Sequence, residues 1–253
     1  GGFTGARSLD PFESGRTFVD VRPFYRSQEI DGDDVSTTVN TNGVDFGLTW
    51  DNRDFPSNPA RGQSVRLGLS RDFGAFDSAD SWTVLQADVD QYFELNNLPH
   101  VRQAVLALNL WTAATPSWEE RPDGTVANRP PAYAGATLGG LWRMRAYPSQ
   151  RFNDRAAVYY AAELRVIPEW NPFDAWPAFQ RYADVEWLQF VPFLELGRVA
   201  PEWDLGELHS DMKWSLGLGI RAWASGFVVR MDTAFSDEGA QVQMMISQPF
   251  QFF

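Results

Sequence analysis

The chain has no cysteine. Disulfide frameworks, thiolate zinc sites and thiol nucleophiles are therefore excluded. Long apolar runs are also missing. No stretch approaches the ~18 consecutive apolar residues of a helical membrane span. The most apolar window, from Val101 to Trp118, is broken by Arg102, Gln103 and Asn109. Histidine is scarce, with only His100 and His209. Positive charge is in deficit: 21 Lys and Arg stand against 33 Asp and Glu, a net charge of -12. That argues against nucleic acid as a partner, because phosphate binding needs a basic surface. An acidic soluble protein and a membrane barrel with acidic loops are both compatible with it. Neither a metal site nor a cofactor is expected. The start, Gly1-Gly2-Phe3-Thr4-Gly5, has no basic region followed by an apolar one, so a removed signal or the C-terminal piece of a longer protein is expected.

Aromatic residues, by contrast, are plentiful, at 15% with 11 Trp. The 253 residues could form one large β domain or two small ones. No repeat, low-complexity tract or linker divides them, so 1–253 reads as a single domain.

Alternation is the dominant pattern. In 157–167, Val158, Tyr160, Ala162, Leu164 and Val166 share one face, and Tyr159, Ala161, Glu163 and Arg165 the other. One face is apolar and the other carries charge, the period-2 signature of a strand. The same holds in 44–51, 82–95 and 213–223, and more weakly in 17–27, 64–73, 102–113, 187–198, 226–235 and 241–250. That makes ten predicted strands, many about ten residues or longer, against a usual ~5–6 in soluble sheets. A spanning β-strand needs only ~9–11 residues with one apolar face. Periodicity does not say which face points inward. The mid-strand charges Glu163, Arg165, Glu195, Arg221, Arg230 and Asp232 suit a wet or ion-paired lumen.

The predicted connections differ in length. Residues 224–226 and 96–99 read as tight turns, 31–42 as a polar loop, and 115–141 and 168–183 as long connections. Short turns on one rim and long loops on the other are the outer-membrane habit. Trp50, Trp82, Trp111, Trp187 and Trp223, near strand ends, would suit interfacial girdles.

Several motifs resemble the BamA/TamA superfamily, the bacterial surface antigen family of outer-membrane barrels. Gly43-Val44-Asp45-Phe46-Gly47-Leu48-Thr49-Trp50-Asp51-Asn52-Arg53-Asp54, followed by Pro59-Ala60-Arg61-Gly62, is similar to its strand ending in Asp-x-Arg-Asp and the Pro-x-x-Gly turn after it. Gly139-Gly140-Leu141-Trp142-Arg143-Met144-Arg145-Ala146-Tyr147 resembles its loop motif, Gly-Gly and then Val-Arg-Gly-Phe/Tyr. Ala146 stands where the family has glycine, which tolerates φ > 0 and close backbone approach. Either the loop differs here or the position never needed glycine. Tyr160-Ala161-Ala162-Glu163-Leu164-Arg165 and Phe193-Leu194-Glu195-Leu196-Gly197 resemble the next two family strands. The chain ends Gln248-Pro249-Phe250-Gln251-Phe252-Phe253, like the aromatic-ended last strand that the assembly machinery recognises, although Phe253 is out of phase with Phe250 and Phe252.

The resemblance covers Gly43 to Phe253 and implies an all-β, transmembrane antiparallel β-barrel in the bacterial outer membrane, with a long loop folded into the lumen. It implies that Arg145, beside Tyr147, anchors that loop by pairing with Glu163 and Glu195, and that Phe250, Phe252 and Phe253 carry a terminal strand signal. Separate solvated lumen charges are the alternative. Family barrels have sixteen strands against ten predicted here, so missing N-terminal strands and periplasmic domains are expected, or else a reduced barrel.

The function implied is assembly of proteins into the outer membrane or translocation across it. Its partners would be outer-membrane lipid and unfolded outer-membrane or secreted substrates. A passive pore, or an anchor for an absent domain, is the second reading, and an outer-membrane hydrolase the third. His209-Ser210-Asp211 has the letters of a triad, but triad roles are geometric and adjacency does not supply them. A soluble β-sandwich or lipocalin-like barrel is the non-membrane alternative.

Overall fold

The computed structural model describes residues 15–31, 36–95, 98–176, 180, 182 and 184–246. Its strands are β1 (Arg16–Asp31), β2 (Ser36–Asp51), β3 (Gly62–Phe73), β4 (Ser81–Glu94), β5 (Val101–Ala114), β6 (Glu119–Glu120), β7 (Val126–Ala127), β8 (Ala136–Leu138), β9 (Phe152–Asp154), β10 (Ala156–Pro168), β11 (Val185–Ala200), β12 (Lys213–Ala224), β13 (Phe227–Ser236) and β14 (Gly239–Ile246). Ten of them form one antiparallel sheet in the order β1-β2-β3-β4-β5-β10-β11-β12-β13-β14. This is an up-and-down meander, interrupted only by the 115–155 connection that holds β6 to β9. Among the described residues the sheet is open, with β1 and β14 as its edges.

All ten predicted strands are present. Two boundaries move. The polar stretch 31–42 is not a loop throughout: β2 begins at Ser36, where the hairpin register pairs Asp31 with Ser36 and Tyr25 with Asn42. The last strand is described to Ile246, so the remainder of 241–250 and the aromatics Phe250, Phe252 and Phe253 lie outside the described residues. The tight turn at Ser225-Gly226 has φ values of 50° and 86°, as a two-residue hairpin turn matched to strand twist requires.

The two faces of the sheet settle the polarity that alternation left open. One face exposes Leu48, Leu67, Leu85, Leu108, Leu164, Leu194, Leu216, Leu218, Met231 and Val242. The other buries Asp51, Ser64, Asp72, Asp90, Asn109, Glu163, Arg165, Gln189, Glu195, Ser215, Arg221, Arg230 and Asp232. A water-soluble barrel places its apolar face inside; apolar outside and polar inside is the arrangement of a membrane barrel. The sheet also curls on itself. The β2–β3 connection crosses the inner side, where Asn58 donates to Gln103 at 2.9 Å and accepts from Gln189 of β11 at 3.1 Å. Phe55 meets the Trp223 ring of β12 at 6.2 Å.

Two expectations about the rims fail. The long connections do not share a rim: 115–155 follows β5, whereas 169–184 follows β10 and so lies at the opposite end, together with the 225–226 turn. Nor do the five tryptophans form a girdle: only Trp50 shares the parity of outward Leu48. Trp82, Trp111 and Trp187 are buried. Trp82 shares strand parity with Asp88, Trp111 with Asn109 and Trp187 with Gln189, so they face inward. Trp223 has the parity of Arg221 and stacks on Trp187 at 6.2 Å.

Candidate functional site: a buried charge cluster that seats an internal loop

The 115–155 connection folds against the inner face. Within it β8 pairs β9, and the chain then reverses sharply at Gly139 and Gly140, both at φ 108°. A Cβ on Gly139 would lie 2.3 Å from the Pro148 carbonyl oxygen, so the reversal admits only glycine there. Backbone bonds from Gly139 to Arg143 and from Gly140 to Tyr147, at 3.1 and 3.0 Å, hold the loop tip. The left-handed residue of the tip is Met144, at φ 57°. Ala146 is not among the positive-φ residues, which explains why alanine serves where the family has glycine.

The tip drives Arg145 into the sheet. Its Nε donates to Glu195 Oε1 at 2.9 Å and its backbone N–H to Glu195 Oε2 at 2.7 Å. Its Nη1 lies 3.0 Å from Glu163 and 3.0 Å from Asp232. Its guanidinium stacks 3.5 Å from the centre of the Phe193 ring. Glu163 in turn takes Arg165 and Arg221, each at 2.8 Å, and Tyr159 donates its hydroxyl to Glu195 at 2.6 Å. The carboxylates come from β10, β11 and β13, so one loop residue ties three strands together, and Arg221 adds β12 through Glu163. Arg145 and Glu163 are 1% and 0% exposed. Charges this deep are tolerable only when paired, and every arginine of this cluster has a carboxylate within ion-pair distance.

Flanking contacts complete the seat. Ala146 N–H donates to Ser215 at 3.2 Å, Gln243 of β14 donates to the Arg145 carbonyl at 3.0 Å, and Arg230 donates to the Leu141 carbonyl at 2.7 Å. Tyr147 donates to Asp237 at 2.6 Å, and Lys213 reaches the same carboxylate at 2.9 Å. Burial, then that bond, pushes the Tyr147 phenol above its ordinary range. The same bond, with help from Lys213, holds Asp237 below the usual carboxylate range. On the far side, Tyr133 bonds Thr41 of β2 at 2.6 Å and lies under Arg26 of β1.

The structure thus brings together Arg145, Glu163 and Glu195, with Tyr147 two residues further along the same loop tip. Separate solvated charges are not what it shows. The motifs did not supply the pairing of Arg145 with Asp232, nor the sharing of Glu163 with Arg165 and Arg221. Strand parity had placed these charges mid-strand, but nothing local says which of them meet. The Asp-x-Arg-Asp motif has a different task. Arg53 forks onto Asp51 at 2.9 and 2.7 Å, and Asp54 Oδ1 accepts the N–H groups of Phe55 and Ala60 at 2.8 and 3.0 Å. The motif builds the turn that spans the inner side of the sheet.

Both histidines sit elsewhere. His100 is exposed beside Glu169. His209 faces Tyr160 through Nε2 and the Leu205 carbonyl through Nδ1, while Ser210 donates to the Glu207 carbonyl. His209-Ser210-Asp211 therefore shows no nucleophile–base pair.

An antiparallel meander with an apolar exterior, a charged interior and an inward loop defines the class of transmembrane β-barrel proteins. The model of the Omp85 superfamily domain matches residues 14–253. The chain belongs to that superfamily, whose members work in outer-membrane protein assembly and translocation. No curated protein matches it.

Proposed function

We propose that this chain is an outer-membrane barrel domain that assists insertion of proteins into the outer membrane or their passage across it, with the 115–155 loop as an internal plug held by Arg145. The observation that carries the reading is the seating of that loop. A family-type loop occupies the inner face and is locked by buried ion pairs drawn from β10, β11 and β13. The lipid partner follows from the exposed apolar wall, and unfolded outer-membrane or secreted polypeptides are the substrates that fit the family. No hydrolytic role is proposed, since neither histidine activates a nucleophile.

The test is Arg145→Ala. The variant should fold with the loop unseated, so that protease cuts within 139–151 at least tenfold faster, on the order of the 1.4 kcal/mol that a tenfold opening ratio represents. Wild-type protection together with wild-type barrel stability would sink the anchoring claim.

A passive pore is the second reading. It is favoured by a cavity of about 730 Å³ beside the loop, lined by Arg22, Arg66, Arg143, Asp45, Asp88 and Trp82 among others. Steady single-channel conductance of the reconstituted protein, without any effect on client insertion, would favour it over assembly.

A further inference from the structure

The outward wall carries a feature that the plug does not explain. Across four strands the register stacks two adjacent rows: Val89, Leu110, Tyr160 and Leu196 in one, and Gln91, Leu108, Ala162 and Leu194 in the next. Ala162 is the small residue between two leucines, so the wall dips there. The dip continues into a groove of about 370 Å³ lined by Leu108, Leu110, Tyr160, Ala162, Leu194 and Leu196, with Val89 and Gln91 at its side.

One end of the groove is closed by a loop lying on the outside of the barrel. The 201–212 connection between β11 and β12 holds a single helical turn, Leu205–Leu208, capped by Asp204. Leu208 is fully buried against Ala156, Val158 and Ala200, and Val158 shares strand parity with Tyr160. The loop is therefore docked on the outer face rather than projecting from the rim. Trp203 donates to Thr112 at 2.8 Å, and His209 meets the Tyr160 hydroxyl at 2.8 Å. Polar partners thus gather at that one end of a groove whose outward lining is otherwise apolar except for Gln91. Trp203 and Leu205 remain 50% and 58% exposed, an amphipathic edge of the kind that sits at a bilayer interface.

We propose that the groove is a binding site for one acyl chain of a membrane lipid, and that the 201–212 loop is an interfacial ledge fixing where that chain's polar end stops. The occupant follows from continuity: the groove opens on the same apolar wall that meets lipid, so it rests on the membrane reading above. Its lining then selects a chain rather than a headgroup: no charged side chain lines it, and Gln91, at its side, already donates to the Gly62 and Tyr92 carbonyls.

The test uses the full chain reconstituted in phosphatidylethanolamine–phosphatidylglycerol vesicles that contain a phospholipid with a photoactivatable diazirine in its acyl chain. After irradiation, peptide mass mapping should show label enriched several-fold on 106–110 and 192–196 over the outward residues of 214–218. Ala162→Phe fills the dip and should bring that labelling down to the β12 level, and Ala162→Leu should lower it part of the way if the larger side chain prevents folding. Inserted protein labelled evenly over all three segments, or labelling unchanged in Ala162→Leu, would overturn the site while leaving the membrane reading intact. Protein that stays in water and takes no label would overturn both.

Discussion

The two ends of the sheet use their inner faces differently. On β10 to β13 the loop seals a cluster in which Arg145, Arg165, Arg221 and Arg230 meet Glu163, Glu195 and Asp232, all at most 2% exposed. On β1 to β3, where Asp51 and Asp72 are buried nearer the strand ends, two mid-strand ion pairs lie along an open cavity. Arg22 with Asp45 is one, with side chains 58% and 22% exposed, and Arg66 with Asp20 another. Both ends are charged, and both carry alternating strands. The difference is the loop tip, which removes water from one set of charges and leaves it over the other. Desolvated charges depend on their partners, whereas hydrated ones have solvent as a substitute.

The largest expected effect follows directly. Glu163→Gln leaves Arg145, Arg165 and Arg221 around a neutral amide. Removing one partner from a buried charge network costs about 3–5 kcal/mol. Asp45→Asn removes the partner of an exposed arginine and should cost at most about 1 kcal/mol. Urea unfolding of the two variants in the same detergent compares them. Equal losses would mean that the cluster is hydrated after all, and the contrast between the two ends would be gone.

A smaller effect sharpens the same contrast through packing. A Cβ on Gly197 of β11 would lie 2.9 Å from Leu138 and 3.1 Å from the Met144 sulfur, both in the loop. Gly197→Ala should therefore cost about 1–3 kcal/mol, as overpacking of a tight interior does, and should raise protease access to the loop. On β3, a Cβ at Gly68 meets the Gln86 side chain at 2.8 Å, but Gln86 borders the cavity and can swing aside. Gly68→Ala should stay within about 0.5 kcal/mol, like an ordinary surface change. A larger penalty at Gly68 than at Gly197 would contradict the proposed division of the interior.

These contrasts also mark how much could be read from residues alone. Period-2 alternation located all ten strands, because a half-buried strand imprints its two environments on successive residues. The pairing of Arg145 with Glu163 and Glu195 was legible through family motifs, and strand parity agreed with it. Asp232 was visible as an inward mid-strand acid, yet its contact with Arg145 joins residues 87 apart and depends on how far the sheet curls, which alternation does not encode. The tryptophans misled for a related reason: their position near strand ends suggested a girdle, while their parity, the stronger signal, placed Trp82, Trp111, Trp187 and Trp223 inside. The rim assignment failed because connection length is set by what each loop packs against. The 115–155 loop fills the interior at one end, and the 201–212 loop clings to the exterior at that same end.

The smallest effect tests the edge of the sealed region by pH. Asp237, on the exposed turn between β13 and β14, accepts from Tyr147 and Lys213, and these bonds lower its pKa in the folded protein. A carboxylate with a depressed folded pKa contributes stability at pH values above its unfolded value, about 3.9, and loses that contribution as pH falls through the lower folded value. The Tyr147 end of the loop should therefore loosen below about pH 4 while the Arg145 cluster still holds the rest of the tip. Pepsin cleavage near Tyr147 as a function of pH would register this as an acid step. Asp237→Asn should flatten the step and leave the loop slightly more open at neutral pH. If the step persists in Asp237→Asn, the acid-sensitive group lies deeper, and the boundary between the sealed and hydrated interior belongs at the carboxylates of the cluster itself.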